Sequence, residues 1–259
     1  MTHGPDPCLP HRAEITDDRE RAGSRIRPRG TATMFIGHFA AALVAKKAAP
    51  SVSLGLLFAA AQWLDLLWPA LLLADVEQAE VTQAPDAPIP LRFTFYPFSH
   101  SLLAVLGWAV LAGALAGWWS RSRRVALVIA VLVASHWLLD LLVHVPDLPL
   151  AFSGGPHFGM GLWHWPLLAL ALELGSFLLG VVVYRSVMAR QGGGRPWVFA
   201  ALAAFLVVIQ FANTFGPPPP GIAPVAWSGM AIWLLVAWGW WADGGTARGG
   251  RDPSRALLS

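Results

Sequence analysis

The chain has 259 residues, of which 56% are hydrophobic and only 13% are charged. Soluble globular chains carry about 25% charge, so this composition excludes both a disordered chain and an ordinary water-soluble domain. A net charge of +3 is too small to build the basic face of a nucleic-acid binder, and the single cysteine, Cys8, excludes disulfides and thiolate-rich zinc sites.

In chain order, residues 1–33 mix six Arg with five Asp and Glu and show no apolar period. They read as a disordered leader or a misassigned start, because Met34-Phe-Ile-Gly-His looks like a natural beginning and no signal-peptide h-region is present. Apolar segments follow at Met34–Ala45, Ser51–Ala74, Ser99–Trp119, Val125–His144, Leu162–Tyr184, Trp197–Phe215 and Ile222–Ala242. All but the first approach the roughly 20 residues that span a bilayer. The expectation is an all-α, polytopic transmembrane helix bundle over residues 34–242, with about six spanning helices. Met34–Ala45 is too short to cross alone and is expected as a re-entrant or half helix, the sequence leaving open whether it crosses. Residues 243–259 read as a cytoplasmic tail. The 14 tryptophans suit a chain with two membrane interfaces.

Charge orients this bundle. Lys46 and Lys47, then Arg121, Arg123 and Arg124, then Arg185, Arg190 and Arg195, then Arg248, Arg251 and Arg255 fall in alternate connections. The others carry Asp75, Glu77, Glu80 and Asp86 with Arg92, then Asp147 alone, then no charge around Pro217. The positive-inside rule places the first set in the cytoplasm. The lipid bilayer is the one partner this composition implies directly.

The few ionisable residues within the apolar segments mark candidate function, since each is expensive in lipid. His38 is in the first segment, Asp65 in the second and His100 at the start of the third. The fourth carries His136, Asp140 and His144, whose i, i+4, i+8 spacing sets them along one helical stripe. Imidazole and carboxylate at i, i+4 can bind one metal ion. Counted from the basic anchors at about 1.5 Å per residue, His38 is roughly 12 Å up, His136 roughly 18 Å, Asp65 roughly 21 Å and Asp140 roughly 24 Å. The candidates thus gather in the outer half of the membrane. Glu173, mid-segment, reads as a further ligand, a general base or a protonated structural residue. His157 and His164 belong to a Gly-rich outer loop and read as part of a lid.

Gly37-His38, Asp65, Phe98-Ser-His100-Ser and His136-xxx-Asp140-xxx-His144, in that order, resemble the membrane-bound metal-dependent hydrolase family, also described as LexA-binding, inner-membrane-associated hydrolases of the YdjM type. The resemblance extends over Met34 to Trp163 and includes Pro146-Asp147-Leu-Pro and Gly159-Met-Gly-Leu-Trp163. Ser99 stands where that family commonly has Thr. The resemblance implies a multi-pass protein of the bacterial inner membrane with a hydrolase site.

His38, Asp65, His100, His136, Asp140 and His144 are therefore the candidate metal ligands, with Asp65 and Glu173 as candidate catalytic groups. The cofactor expected is one or two divalent ions, zinc first, with manganese or magnesium as alternatives. A metal-activated water acting on a lipid-like ester or phosphoester is the leading expectation. No Gly-x-Ser-x-Gly elbow, P-loop or dinucleotide fingerprint is present. The alternatives are a transporter that uses the same His/Asp cluster for proton or metal passage, and a scaffold without catalysis.

Overall fold

A computed structural model describes residue 1 and residues 35–244, except 83, 85 and 86. The expected leader and nearly all of the expected tail lie outside the described residues.

The chain folds as a helical bundle. Helix α1 (Ile36–Ala45) is followed by α2 (Leu54–Ala61) and α3 (Trp63–Leu73). A hairpin of β1 (Gln78–Val81) and β2 (Leu91–Phe95) leads to the short α4 (Pro97–His100). The long α5 (Leu102–Ser120) and α6 (Arg123–Val143) pack against each other as antiparallel neighbours. A two-residue ladder of β3 (Leu148–Pro149) and β4 (His157–Phe158) precedes a 3₁₀ turn at Leu162–His164. Helices α7 (Pro166–Gln191), α8 (Pro196–Phe215), α9 (Ile222–Met230) and α10 (Ile232–Ala242) complete the bundle.

Among the described residues, five spans are long and apolar enough to cross a membrane: α5, α6, α7, α8 and the α9–α10 run. The pair α2–α3 makes a sixth only if its two bent helices are counted as one span. Local chemistry sets several of these boundaries. Ser53, Ser101 and Ser122 accept hydrogen bonds from Leu56, Ala104 and Val125 and cap α2, α5 and α6. Pro166 and Pro196 stand at the first turns of α7 and α8, where no N–H is needed. Gly192, at φ 62°, ends α7 in the left-handed region.

Helix α1 lies at the centre. Ten residues extend about 15 Å, half a hydrocarbon core, and Ile36, Phe39, Ala42 and Leu43 are fully buried among α2, α6 and α7. Small residues admit these neighbours. A Cβ at Gly180 of α7 would stand 3.1 Å from the Ala40 carbonyl oxygen of α1, and one at Gly55 of α2 would stand 2.6 Å from the Val236 carbonyl oxygen of α10. Such close backbone approach is how helices associate without a hydrophobic drive.

Two expectations need correction. Ser51–Ala74 is not one continuous span: it breaks at Gln62 into helices inclined by 60°. Gln62 is fully buried and its Nε2 donates to the Phe35 carbonyl at 3.4 Å, which ties the break to the start of α1. Lys46 is also not a solvated loop anchor. Its Nζ is buried against Asp243 Oδ2 at 2.6 Å and donates to the Val52 carbonyl at 2.7 Å. Asp243 also accepts from Leu54 N and the Tyr184 hydroxyl, so the first residue of the supposed tail belongs to the core. The β1–β2 hairpin is an addition that charge counting alone did not anticipate, although Leu91-Arg-Phe-Thr-Phe95 alternates with period 2.

Candidate metal centre

Four elements bring five side chains together: His38 from α1, Asp65 from the first turn of α3, His100 from the end of α4, and His136 with Asp140 from α6. The break at Gln62 starts α3 afresh, so that Asp65 lies on its first turn. His100 ends its own four-residue helix, and the spanning helix begins only after Ser101. Sequence hydropathy had merged the two.

The donor atoms form two overlapping sets, His38–His136–Asp140 and Asp65–His100–His136. His136 Nε2 lies 3.3 Å from Asp140 Oδ2 and 3.7 Å from Asp65 Oδ1. His100 Nε2 lies 3.7 Å from Asp65 Oδ1 and 3.8 Å from Asp140 Oδ2. Donors about 2.0–2.1 Å from a shared tetrahedral centre stand roughly 3.3–3.4 Å apart, so these pairs are at or slightly beyond ligand spacing. His38 Nε2 is 3.2 Å from Asp140 Oδ1, and its ring stacks on His136 at 3.7 Å between centroids and 3° between planes.

Hydrogen bonds decide which nitrogens face inward. His136 Nδ1 is 2.7 Å from the Ala61 carbonyl oxygen, which can only accept, so Nδ1 carries a proton and, in the neutral ring, Nε2 keeps the lone pair that a metal would take. For His100, Nδ1 is 2.7 Å from Ser99 Oγ, whose own proton goes to Glu77 Oε2 at 2.6 Å. Ser99 must therefore accept from His100 Nδ1–H, again leaving Nε2 bare. Glu77 is buried and held in turn by the N–H groups of Phe98 and Ser99 through Oε1, at 2.7 and 2.8 Å. Such partners orient metal-binding imidazoles and raise their basicity.

A divalent ion fits this arrangement on the evidence of the polar atoms themselves. His38 Nδ1 and Nε2, His136 Nε2 and Asp140 Oδ2 are buried and lack a hydrogen-bond partner among the described residues. Orphans of this kind are costly unless something unseen satisfies them. His136 has one free lone pair and can serve only one ion, which favours a single metal over two. Asp65, the most exposed donor with 24% of its side chain accessible, borders a cavity of about 650 Å³. His100, Asp140 and His144 also line that cavity, whose remaining walls are mostly apolar residues of α3, α8, α9 and α10.

The structure does not bring the remaining candidates into the cluster. His144 caps the end of α6 and its Nδ1 donates to Asp147 Oδ1 at 2.8 Å, while its ring packs on Trp163 at 4.1 Å. Tyr96 donates to the same Asp147 oxygen at 3.2 Å. Burial, reinforced by the Asp147 charge, holds the Tyr96 hydroxyl well above the usual phenol range, so it remains a donor. Glu173 Oε2 accepts from the N–H groups of Phe35 and Ile36 at 2.9 and 3.0 Å. It caps α1 from across the bundle. His157 and His164 lie on the connection between α6 and α7 with exposed side chains.

Sequence reading missed Glu77 as a support for His100, counting it only as an outer-loop charge. Nothing within its neighbours in sequence signals a partner 22 residues away.

Fold and site together define a class: a polytopic helical membrane protein with a buried His/Asp cluster that could hold a metal ion. No family profile, curated protein or solved structure matches the chain.

Proposed function

We propose that the chain is a metal-dependent hydrolase of the bacterial inner membrane, acting on an amphiphilic ester or phosphoester near the outer leaflet. The observation that carries this reading is the set of inward-facing Nε2 and carboxylate atoms at the wall of a largely apolar cavity. His100, His136, Asp65 and Asp140 would hold the ion. When bound, the ion supplies Lewis acidity and a water nucleophile at neutral pH, and zinc suits this nitrogen and oxygen donor set.

The chain's own groups do the rest. Glu77–Ser99 and the Ala61 carbonyl keep His100 and His136 in the ligating tautomer. His38 stands beside Asp140, its Nε2 3.2 Å from Oδ1, and flanks that carboxylate on the side of α1. Asp65 adjoins the cavity, where its second oxygen can take up and return a proton beside the scissile group. The order of the His and Asp motifs, which resembles the membrane-bound metal-dependent hydrolases, supports the same assignment. Alternating basic connections support a cytoplasmic carboxyl terminus.

A transporter would need the cluster to continue toward the other face. Between His38 and Lys46, α1 carries only apolar side chains over about 12 Å, which favours hydrolysis over relay.

Metal analysis of detergent-purified protein tests the centre. The wild type is expected to retain about one zinc per chain on the single-site argument above, and His136→Ala and Asp140→Ala to retain none. Equal metal in all three proteins would reject the site. Release of product from diacylglycerophospholipid vesicles by the wild type, lost in Asp65→Asn, would establish the reaction class.

A further inference from the structure

The cavity beside the cluster extends well beyond the reacting groups. One end is formed by Asp65, His100 and Asp140. The other walls come from α8, at Phe205 and Ala212, and from the α9–α10 run between Val225 and Trp238. Those thirteen residue steps correspond to about 20 Å of helix. The volume of about 650 Å³ is within the roughly 300–1,000 Å³ of pockets that enclose a small organic ligand.

Two wall residues also belong to the outside of the bundle. Phe205 is 41% and Leu234 is 71% exposed, and they stand on different helices, α8 and α10. On membrane-spanning helices an exposed apolar side chain faces lipid. Phe205 and Leu234 also line the cavity, so an opening between α8 and α10 would connect the bilayer with the donor cluster at the polar end.

We propose that this cavity seats a hydrocarbon chain of a membrane glycerophospholipid, which enters sideways from the bilayer between α8 and α10 and presents its ester or phosphoester to the cluster. The chemistry matches at both ends: carboxylates and imidazoles at one, mostly apolar walls at the other. The route matches as well. Lipid tails are as apolar as these walls, so a sideways move dehydrates nothing, whereas entry through water would expose the whole chain. The proposal rests on the hydrolase reading for the reacting end, but the seat of the chain is separable from it.

Photo-crosslinking separates them. The full-length protein is placed in lipid nanodiscs containing phosphatidylglycerol with a diazirine midway along one acyl chain, irradiated, and mapped by peptide mass spectrometry. Adducts are expected on Ile232 and Leu235, cavity-wall residues only 8% and 7% exposed, which lipid outside the bundle does not reach. Ala212→Trp fills the cavity from α8 and should lower those adducts about tenfold, equivalent to about 1.4 kcal/mol. Adducts on Leu178, on the outer face of α7, should not change. Ala231→Trp makes the same test from the junction of α9 and α10 should the first variant fold poorly, with elution as a single species as the folding check.

His136→Ala should keep the adducts while losing metal. Absence of hydrolysis by the metal-loaded wild type with its adducts intact would remove the hydrolase reading and leave the chain site standing. Adducts confined to outward residues such as Leu178, adducts at Ile232 and Leu235 unaffected by either tryptophan, or cross-links there to a second copy of the chain would each overturn the proposal.

Discussion

At the scale of single residues, the cluster depends on protons being held in the right places. His136 and His100 present Nε2 because an obligate acceptor, the Ala61 carbonyl, and a committed hydroxyl, Ser99 Oγ, take the Nδ1 protons. Ser99 acts here through its hydroxyl, which a threonine would also supply. Ser99→Ala should weaken metal affinity by about 10–100-fold, measured by chelator competition, whereas Ser99→Thr should stay near wild type. Equal affinity in both variants would show that the Glu77–Ser99–His100 chain does not tune the site. His144 illustrates the limit of spacing. Its i+8 position from His136 puts it on the right stripe, but the chain turns at its Cα and Asp147 claims its Nδ1.

Among the elements, α1 carries His38 yet is too short to span the membrane alone. Its position comes from partners at both ends. Glu173 of α7 accepts from Phe35 and Ile36 at the start, and Lys46 pairs with Asp243 at the finish. Glu173→Ala strands two buried N–H groups at about 1–3 kcal/mol each and should lower the thermal unfolding temperature in detergent. Glu173→Gln keeps an acceptor and should cost less, with metal content unchanged. Loss of metal in the glutamine variant would instead assign Glu173 to the site. Lys46→Met leaves Asp243 buried and unpaired, a change that typically costs about 3–5 kcal/mol. Lys46→Met with Asp243→Asn should recover part of that loss in the same unfolding assay, because the amide oxygen can still accept from Leu54 N while its NH2 group donates to the Tyr184 hydroxyl, without a net charge.

Across the whole molecule, the orientation can be checked without reference to the site. With Cys8 replaced by serine, single cysteines at Val81 or Pro218 should react with an impermeant maleimide in intact cells, and one at Gly193 should not. Labelling at Gly193 would invert the topology. Much of the architecture was legible in the sequence because hydropathy is a local property: a run of about 20 apolar residues must span or be buried wherever its neighbours are. The positions of His38, Asp65, His100, His136 and Asp140 were legible for a related reason, since ionisable groups stand out against an apolar background. The break at Gln62, the cap from Glu173, the buried Lys46–Asp243 pair and the Glu77 support were not. Each joins residues distant in the chain, 197 positions apart in the case of Lys46 and Asp243, and no periodicity within either segment specifies the other. Composition and spacing thus determined a helical membrane protein with metal-competent side chains in one half of it. Only the packing of α1 among α2, α6 and α7 decided which of those side chains meet, because partner choice in a bundle follows from close approach and hydrogen-bond satisfaction between helices, which a single segment does not encode.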